Sequence, residues 1–265
     1  MSTFMPESYY KFSPMSMEDI TSAYERHETV TGFVESIDVE NEVLYVRLGS
    51  ENLASMPFSE VTIYPFRYTK KDSSTLPTNI RCIIHKQIRV KITDINNEVI
   101  TVSRKQNMQE AHNILLKKDK VSMYITNIIP KTVFGDIGEG INAKIFINEI
   151  SRTHLKSSRE FFKKGQAIDV ILLGTDDEMR FIASYKRSFP PYRKEDYTVG
   201  MTIRGKVGDW IKICSTSAYY VSITPQVSGI MNIPQRMYLD YGCDVECIVN
   251  EATDKGLELA FSKVL

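Results

Sequence analysis

The sequence lacks a long apolar run and any net charge, with 33 basic and 33 acidic residues among 265. A membrane-spanning helix needs about eighteen or more consecutive apolar residues, and no stretch approaches that length. Residues 1–7 show neither the basic start nor the apolar run of a secretory signal peptide. We therefore expect a cytoplasmic protein with no membrane partner.

Cysteine, histidine and catalytic motifs are also scarce. No glycine-rich phosphate loop, nucleophile elbow or convincingly spaced pair of carboxylates occurs, and the four histidines are far apart in sequence. The sequence thus predicts a protein that is not an enzyme and that has no metal or cofactor. No cysteine pair is completed into a zinc set, so we expect buried, reduced thiols at the four cysteines, which are Cys82, Cys214, Cys243 and Cys247.

Positive charge is concentrated in the middle of the chain despite the overall neutrality. Residues 105–188 hold 14 basic and 10 acidic side chains, whereas residues 28–104 hold 9 and 10 and residues 189–265 hold 8 and 9. A basic surface attracts polyanions, so the middle segment is the expected contact for such a ligand.

One pattern occurs three times, and it is more informative than any single residue. Each copy is an alternating apolar segment with an aromatic residue, followed by a second strand-like segment. The copies lie 89 and 86 residues apart, which predicts three small β domains in tandem rather than a solenoid. The aromatic residue and a reference position twelve residues later are Tyr45 and Pro57, Phe134 and Phe146, and Tyr220 and Asn232.

The pattern divides the chain into domains and linkers. Ser16 and Asp19 form a near-capping box that predicts a short helix before the first domain. Five short strands are expected per domain, including one over residues 80–84, and five strands suit a small closed barrel. The predicted parts are an N-terminal helical extension (1–27), a first β domain (28–104), a helical linker (105–118), a second β domain (119–187), a linker (188–198) and a third β domain (199–265).

At these residues the chain resembles the RNA-binding repeat family named after ribosomal protein S-one, which has the oligonucleotide-binding (OB) fold. The resemblance is carried by the Gly-x-Val openings at Gly32 and Gly205, the aromatic strand that follows, and a closing Ser/Lys strand. The second copy departs at the opening, where Met123 stands in place of the glycine. The resemblance implies an all-β chain of three tandem five-stranded OB-fold barrels joined by short helical or extended linkers.

The family's RNA face implies roles for residues of the second domain. It has two aromatic residues on the second strand, a histidine on the third, and an Asp and an Arg four residues apart before the last strand. Here Phe134 takes the second aromatic position, Phe146 stands at the histidine position, and Lys131 replaces the first aromatic residue. Asp176 and Arg180 have the expected spacing. Exposed rings stack unpaired bases, while cations hold phosphates.

The other two domains keep less of this pattern. The first retains Tyr45 but has Glu42 and Pro57 at the other positions, which is similar to the amino-terminal repeats that engage protein in the family. In the third, Trp210 is expected in the core. The resemblance implies an RNA-binding set of Lys131, Phe134, Phe146, Arg152, Lys156, Asp176, Arg180, Lys206, Tyr219, Tyr220 and Asn232, in which Arg152 and Lys156 belong to a basic run between residues 152 and 164.

The resemblance therefore implies a protein that holds single-stranded RNA in connection with translation. The second domain is the expected RNA-binding domain, the third an auxiliary one, and the first a docking domain for a ribosome or another nucleoprotein complex. Two alternatives stay open. One is a protein-interaction adaptor of such a complex that no longer binds nucleic acid strongly, and the other is a subunit of a nuclease or RNA-processing complex.

Overall fold

Three closed five-stranded barrels follow one another along the chain, which confirms the predicted fold class. The computed structural model describes residues 4–68, 76–97, 99–213, 216–233 and 237–265. Strands are adjacent in the orders β1-β2-β3-β5-β4, β10-β8-β7-β6-β9 and β11-β12-β13-β15-β14. Their bounds are β1 Thr29–Asp38, β2 Val43–Arg47, β3 Leu53–Pro57, β4 Gln87–Asn96, β5 Val99–Ser103, β6 Lys120–Ile129, β7 Thr132–Asp136, β8 Asn142–Phe146, β9 Ala167–Thr175, β10 Phe181–Ser184, β11 Thr202–Ile213, β12 Thr216–Thr224, β13 Val227–Asn232, β14 Asp244–Thr253 and β15 Gly256–Val264.

Helices occur at the start of the chain and around the first barrel. They are α1 Met17–Glu25, α2 Thr78–Arg81 and α3 Arg104–Leu115. Helix α1 begins with the predicted capping box, because the Ser16 side chain accepts from the Asp19 amide while Asp19 accepts from the Ser16 amide. Among the described residues, no helix is long and apolar enough to cross a membrane.

The chain forms two compact units. The first unit comprises residues 1–118 together with 136–142 and 175–180, two connections between strands of the second barrel. The second unit comprises residues 119–135, 143–174 and 181–265.

Alternation along the strands builds each core. In β4, for example, Ile88, Val90 and Ile92 are buried while the residues between them are partly exposed, as expected for a strand with one face inward. Each barrel is completed by one parallel strand pair, such as β3 with β5, in which Ala54 is opposite Ile100.

Residues 80–84 do not form the predicted strand, so that prediction was wrong. Residues 78–81 form helix α2, which follows Pro77. Ile80 and Ile83 are both buried, and their spacing of three matches one helical turn rather than a strand.

The departure of the second repeat at its opening has a structural explanation. In the third barrel a Cβ on Gly205 would lie 2.5 Å from Cγ1 of Val221, and Gly32 faces Val46 in the first barrel at 2.4 Å. In the second barrel the large residue is Met123, and the position facing it is Gly135, whose Cβ would lie 2.5 Å from the Met123 Cε. The small and large residues have therefore exchanged strands.

Candidate nucleic-acid interface

The outer face of β7 and β8 carries two aromatic rings and a cation. Val133 and Gly135 are buried, which places Phe134, the residue between them, on the outer face of β7, where it is half-buried. On β8 the alternation is the same, with Lys144 and Phe146 outward. Phe146 is 39% exposed, and the Lys144 Nζ lies 5.2 Å from its ring centroid. We call Phe134, Lys144 and Phe146 the second-barrel wall.

The turn before β7 brings one more cation beside this wall. Lys131 is exposed, and its carbonyl oxygen accepts from the amide of Ile147, the residue after Phe146, at 2.9 Å. A ring next to a cation suits single-stranded nucleic acid, because a base stacks on the ring while the cation attracts the phosphate. Sequence reasoning missed Lys144, although its spacing of two residues from Phe146 places both on one face of a strand.

The third barrel presents a related but less basic surface, the third-barrel wall, formed by Tyr220, Ile230 and Asn232. Tyr220 is 42% exposed and lies directly opposite Ile230 on β13. Asn232 is exposed two residues further along the same face. Tyr220 and Ile230 border a groove of about 510 Å³ that is also lined by Asp254, Lys255 and Glu258. The wall offers a ring and an amide, but the groove adds the carboxylates of Asp254 and Glu258.

Two predicted site residues of the third barrel have other partners. Tyr219 is 5% exposed, lies in the barrel core, and its hydroxyl accepts from the Leu239 amide at 3.1 Å. It has no open ring face for a base, so we remove it from the candidate set. Lys206 is exposed, and its Nζ lies 2.8 and 3.0 Å from the two carboxylate oxygens of Asp244.

Trp210 is 51% exposed, so the prediction that it packs in the core was wrong. Strand β11 has a register irregularity between Val207 and Trp210, after which Trp210 is paired with Tyr219 of β12. The prediction of buried thiols is also corrected: Cys247 is buried, Cys243 is half-buried, and Cys82 is exposed. Cys214 lies outside the described residues.

The predicted residues Arg152 and Lys156 lie on the connection between β8 and β9. Both are exposed. The Arg152 amide donates to the carbonyl of Pro225 at 2.9 Å, and the Lys156 amide donates to the hydroxyl of Tyr241 at 3.2 Å. The Lys156 Nζ also lies 4.3 Å from the centroid of the Tyr241 ring. This connection is thus attached to the third barrel within the second unit.

Asp176 and Arg180 belong to the first unit, unlike the second-barrel wall. Asp176 organises its own turn, since its Oδ1 accepts from the amides of Glu178 and Arg180 at 2.9 and 2.8 Å. The Arg180 side chain is 15% exposed, forms an ion pair with Glu178, and places its guanidinium carbon 6.0 Å from the Tyr64 ring centroid. The structure therefore gives both residues protein partners.

The first unit also contains a buried network of charged side chains that sequence reasoning missed. The Arg104 guanidinium donates to both carboxylate oxygens of Glu7, from Nε at 2.8 Å and from Nη2 at 2.6 Å. Glu139 accepts from the Asn107 side chain at 2.8 Å, and its carboxylate lies 3.4 Å from Arg89. We call these groups the buried ion network. Its members are far apart in sequence, so no local pattern indicated them.

One carboxyl group beside this network has an unusual pKa. Burial, aided by the neighbouring carboxylates of Glu7 and Glu139, raises the pKa of Asp136 to about 7, although the amide of Gly138 and the charge of Arg104 act to lower it. Gly138 donates its amide to Asp136 Oδ1 at 2.7 Å. No group of three or more metal-ligating side chains occurs among the described residues, so these carboxylates show no metal site.

Comparison with known proteins is consistent with this repeat architecture. The chain is 25% identical over 174 residues to the small ribosomal subunit protein bS1 of Staphylococcus saprophyticus, covering 61% of this chain and 43% of that protein. It is 27% identical over 164 residues to bS1 of Staphylococcus haemolyticus, covering 56% and 40%. The chain thus spans about two fifths of the length of these curated relatives. No protein-family model matches the sequence.

Among solved structures, a multidomain protein with nucleic acid binding domains from Streptococcus pneumoniae is 11% identical, and the match covers 89% of this chain and 74% of that one. The TM-score is 0.30, and a superposition this weak supports no conclusion about the chain. The three closed five-stranded barrels and the similarity to bS1 fit an S-one-like OB-fold repeat family with three tandem repeats.

Proposed function

We propose that the chain binds single-stranded RNA, with the second-barrel wall as its main base-stacking surface and the third-barrel wall as an auxiliary one. The observation that carries the proposal is the outward pair Lys144 and Phe146, with a cation over a partly exposed ring, next to Phe134. The relatives are ribosomal proteins by name, which supports a role connected with translation. Catalysis is not part of the proposal.

The residues proposed to contact RNA differ from the set that the resemblance implied. Stacking is assigned to Phe134, Phe146 and Tyr220, and polar contacts to Lys131, Lys144 and Asn232. Lys206 is exposed and is kept as a peripheral phosphate contact. To bind a phosphate, it would give up its ion pair with Asp244. Asp176 and Arg180 are left out because both have partners in the first unit.

The first barrel is proposed to dock the protein to a ribosome or another nucleoprotein complex. Its equivalent wall has one half-buried ring, Tyr45, opposite Ser55 on β3, while Pro57 ends that strand. Glu42 immediately precedes β2 and adds a negative charge, which disfavours phosphate. Such a surface suits protein better than RNA.

The test is fluorescence anisotropy of a labelled single-stranded RNA titrated with the full chain. Replacing Phe134 and Phe146 together by Ala should weaken binding by about 2–6 kcal/mol, since each stacked base contributes about 1–3 kcal/mol. The matched control is Tyr45→Ala, which removes the ring at the same repeat position of the first barrel and should leave the affinity unchanged. Phe134→Leu and Phe146→Leu keep apolar volume and separate stacking from folding.

Unchanged affinity in the double variant, or an equal loss in Tyr45→Ala, would contradict the proposal. Trp210 provides an internal reporter, because it is the single tryptophan and it is exposed on the third barrel. A change of its fluorescence on adding RNA is expected if the third barrel takes part.

A second candidate function is a protein-interaction adaptor, and the net charge of zero together with Glu258 in the third-barrel groove favours it. Salt dependence separates the two candidates. Phosphate contacts give an affinity that falls steeply between about 50 and 200 mM salt, whereas an apolar protein interface changes little.

A further inference from the structure

The connection between β8 and β9 carries a high local density of positive charge, although the chain as a whole has no net charge. Residues 152–164, which we call the basic segment, contain five basic residues and one acidic residue, Glu160. Its excess of four positive charges equals that of the whole region 105–188. Each of the five basic residues is exposed; they are Arg152, Lys156, Arg159, Lys163 and Lys164.

The basic segment is held in place by groups other than its cations. In its centre Ser158 is buried, and its amide donates to the Pro130 carbonyl at 2.9 Å. Phe162 is buried as well and packs edge-on against Tyr185, with ring centroids 4.9 Å apart. At its start, His154 Nδ1 lies 3.0 Å from the Asp209 carboxylate of the third barrel. The backbone is therefore fixed at several points while the charged residues remain at the surface.

Several cations of the basic segment have no acidic partner in the folded chain among the described side chains. Among the side chains that the structure describes, no carboxylate pairs with Arg152, Lys163 or Lys164, and Lys156 lies over the Tyr241 ring. Like charges gathered on one surface repel one another, and a bound polyanion removes that repulsion. The Lys156–Tyr241 contact adds an aromatic group to the basic surface.

We propose that the basic segment is a second binding site, separate from the stacking walls, that takes the phosphodiester backbone of a single strand without reading its bases. The inference rests on the proposed function, since the strand is the same RNA. The site spans two barrels of the second unit, because the segment leaves β8 of the second barrel and its backbone is bonded to Pro225 and Tyr241 of the third. The strand would then contact both barrels at once.

The test compares two labelled probes of equal length on the full chain: a single-stranded RNA and an abasic strand that keeps the phosphodiesters but has no bases. The segment variant carries Arg152→Gln, Lys163→Gln and Lys164→Gln, three changes at exposed positions. The control variant removes the same number of charges from exposed positions of the first unit, with Lys11→Gln, Arg26→Gln and Lys86→Gln.

The segment variant should bind both probes about ten- to a hundredfold more weakly near 0.1 M salt. Each phosphate contact contributes about 0.7 to the slope of log affinity against log salt for a single strand, so three lost contacts lower the slope by about 2. The control variant should leave the slope unchanged. Phe134→Ala with Phe146→Ala should weaken binding of the RNA but not of the abasic strand.

Three results would contradict the proposal, and each contradicts a different part of it. If the segment variant matches the control variant in slope and affinity, the basic segment is not a phosphate site, while RNA binding by the walls stands. If the wild-type chain binds neither probe, the proposed function fails and the inference fails with it. If a poly-glutamate peptide of equal charge competes as well as the abasic strand, the segment binds acidic polymers in general, and its assignment to nucleic acid is wrong.

Discussion

Gly135→Val tests whether the second barrel depends on the exchange of small and large residues between β6 and β7. A Cβ at position 135 would lie 2.5 and 2.6 Å from the Cε and Cγ atoms of Met123 and 2.6 Å from the carbonyl oxygen of Tyr124. Overpacking of this kind costs about 1–3 kcal/mol, and valine adds two further methyl groups. We expect a loss of about 3 kcal/mol in the local stability of this strand pair.

The compensating change is Met123→Gly, which recreates the glycine and valine pair of the other two barrels. Alone, this change removes a buried side chain and should cost about 2–5 kcal/mol. In the double variant the valine fills the space that the methionine leaves. The two costs should therefore not add, with a coupling of about 2 kcal/mol in the favourable direction, inside the range of about 0.5–3 kcal/mol found for residues in contact.

Hydrogen exchange measured by mass spectrometry on peptides from β6 and β7 is the suitable assay. It reports local opening, whereas global unfolding of three barrels is not a single transition. The reciprocal pair in the third barrel, Gly205→Met with Val221→Gly, serves as the control and should be tolerated better than Gly205→Met alone. If the loss of hydrogen-exchange protection in each double variant equals the sum of the losses in the two single variants, the compensation is refuted.

Three further predictions concern charges. Arg104→Met leaves Glu7 buried without its ion-pair partner and should destabilise the first unit by about 3–5 kcal/mol in thermal unfolding, whereas Arg47→Met, at an exposed ion pair, should cost at most about 1 kcal/mol. Because burial raises the pKa of Asp136 from 3.8 to about 7, its contribution to stability is complete below about pH 4 and is lost as the pH rises through 7. Asp136→Asn should therefore stabilise the protein by about 2–4 kcal/mol above pH 7 and hardly at pH 4, as checked by unfolding at both pH values. Glu258→Gln removes one of the two carboxylates that line the third-barrel groove and should strengthen RNA binding about two- to fivefold at low salt, an effect that 0.5 M salt should abolish in anisotropy titrations.

The barrels could be predicted from the sequence because their signals are local and repeated. Alternation with a period of two identifies strands such as β4, and the box of Ser16 and Asp19 identifies the start of α1. The error at residues 80–84 has the same origin. A short apolar run fits a strand or one helical turn equally well, and only the burial of Ile80 and Ile83 together decides for the turn.

Features that depend on distant residues could not be predicted. Glu7, Arg104 and Glu139 meet only in the folded chain, so neither their pairing nor the raised pKa of Asp136 leaves a local pattern. Trp210 is exposed although it is paired with the buried Tyr219, and no residue type at that point indicates this.

In each barrel one residue on the neighbouring strand lies opposite the aromatic side chain, and its identity explains why the second barrel is the main RNA-binding candidate. Tyr45 lies opposite Ser55, and Tyr220 lies opposite Ile230. The equivalent residue in the second barrel, ten positions after Phe134 by the same spacing, is Lys144. A hydroxyl or an aliphatic group leaves a stacked base without a partner for its phosphate, whereas the lysine supplies one. The fold is common to all three repeats, and the lysine opposite the ring is one feature that makes the second repeat the best suited to hold RNA.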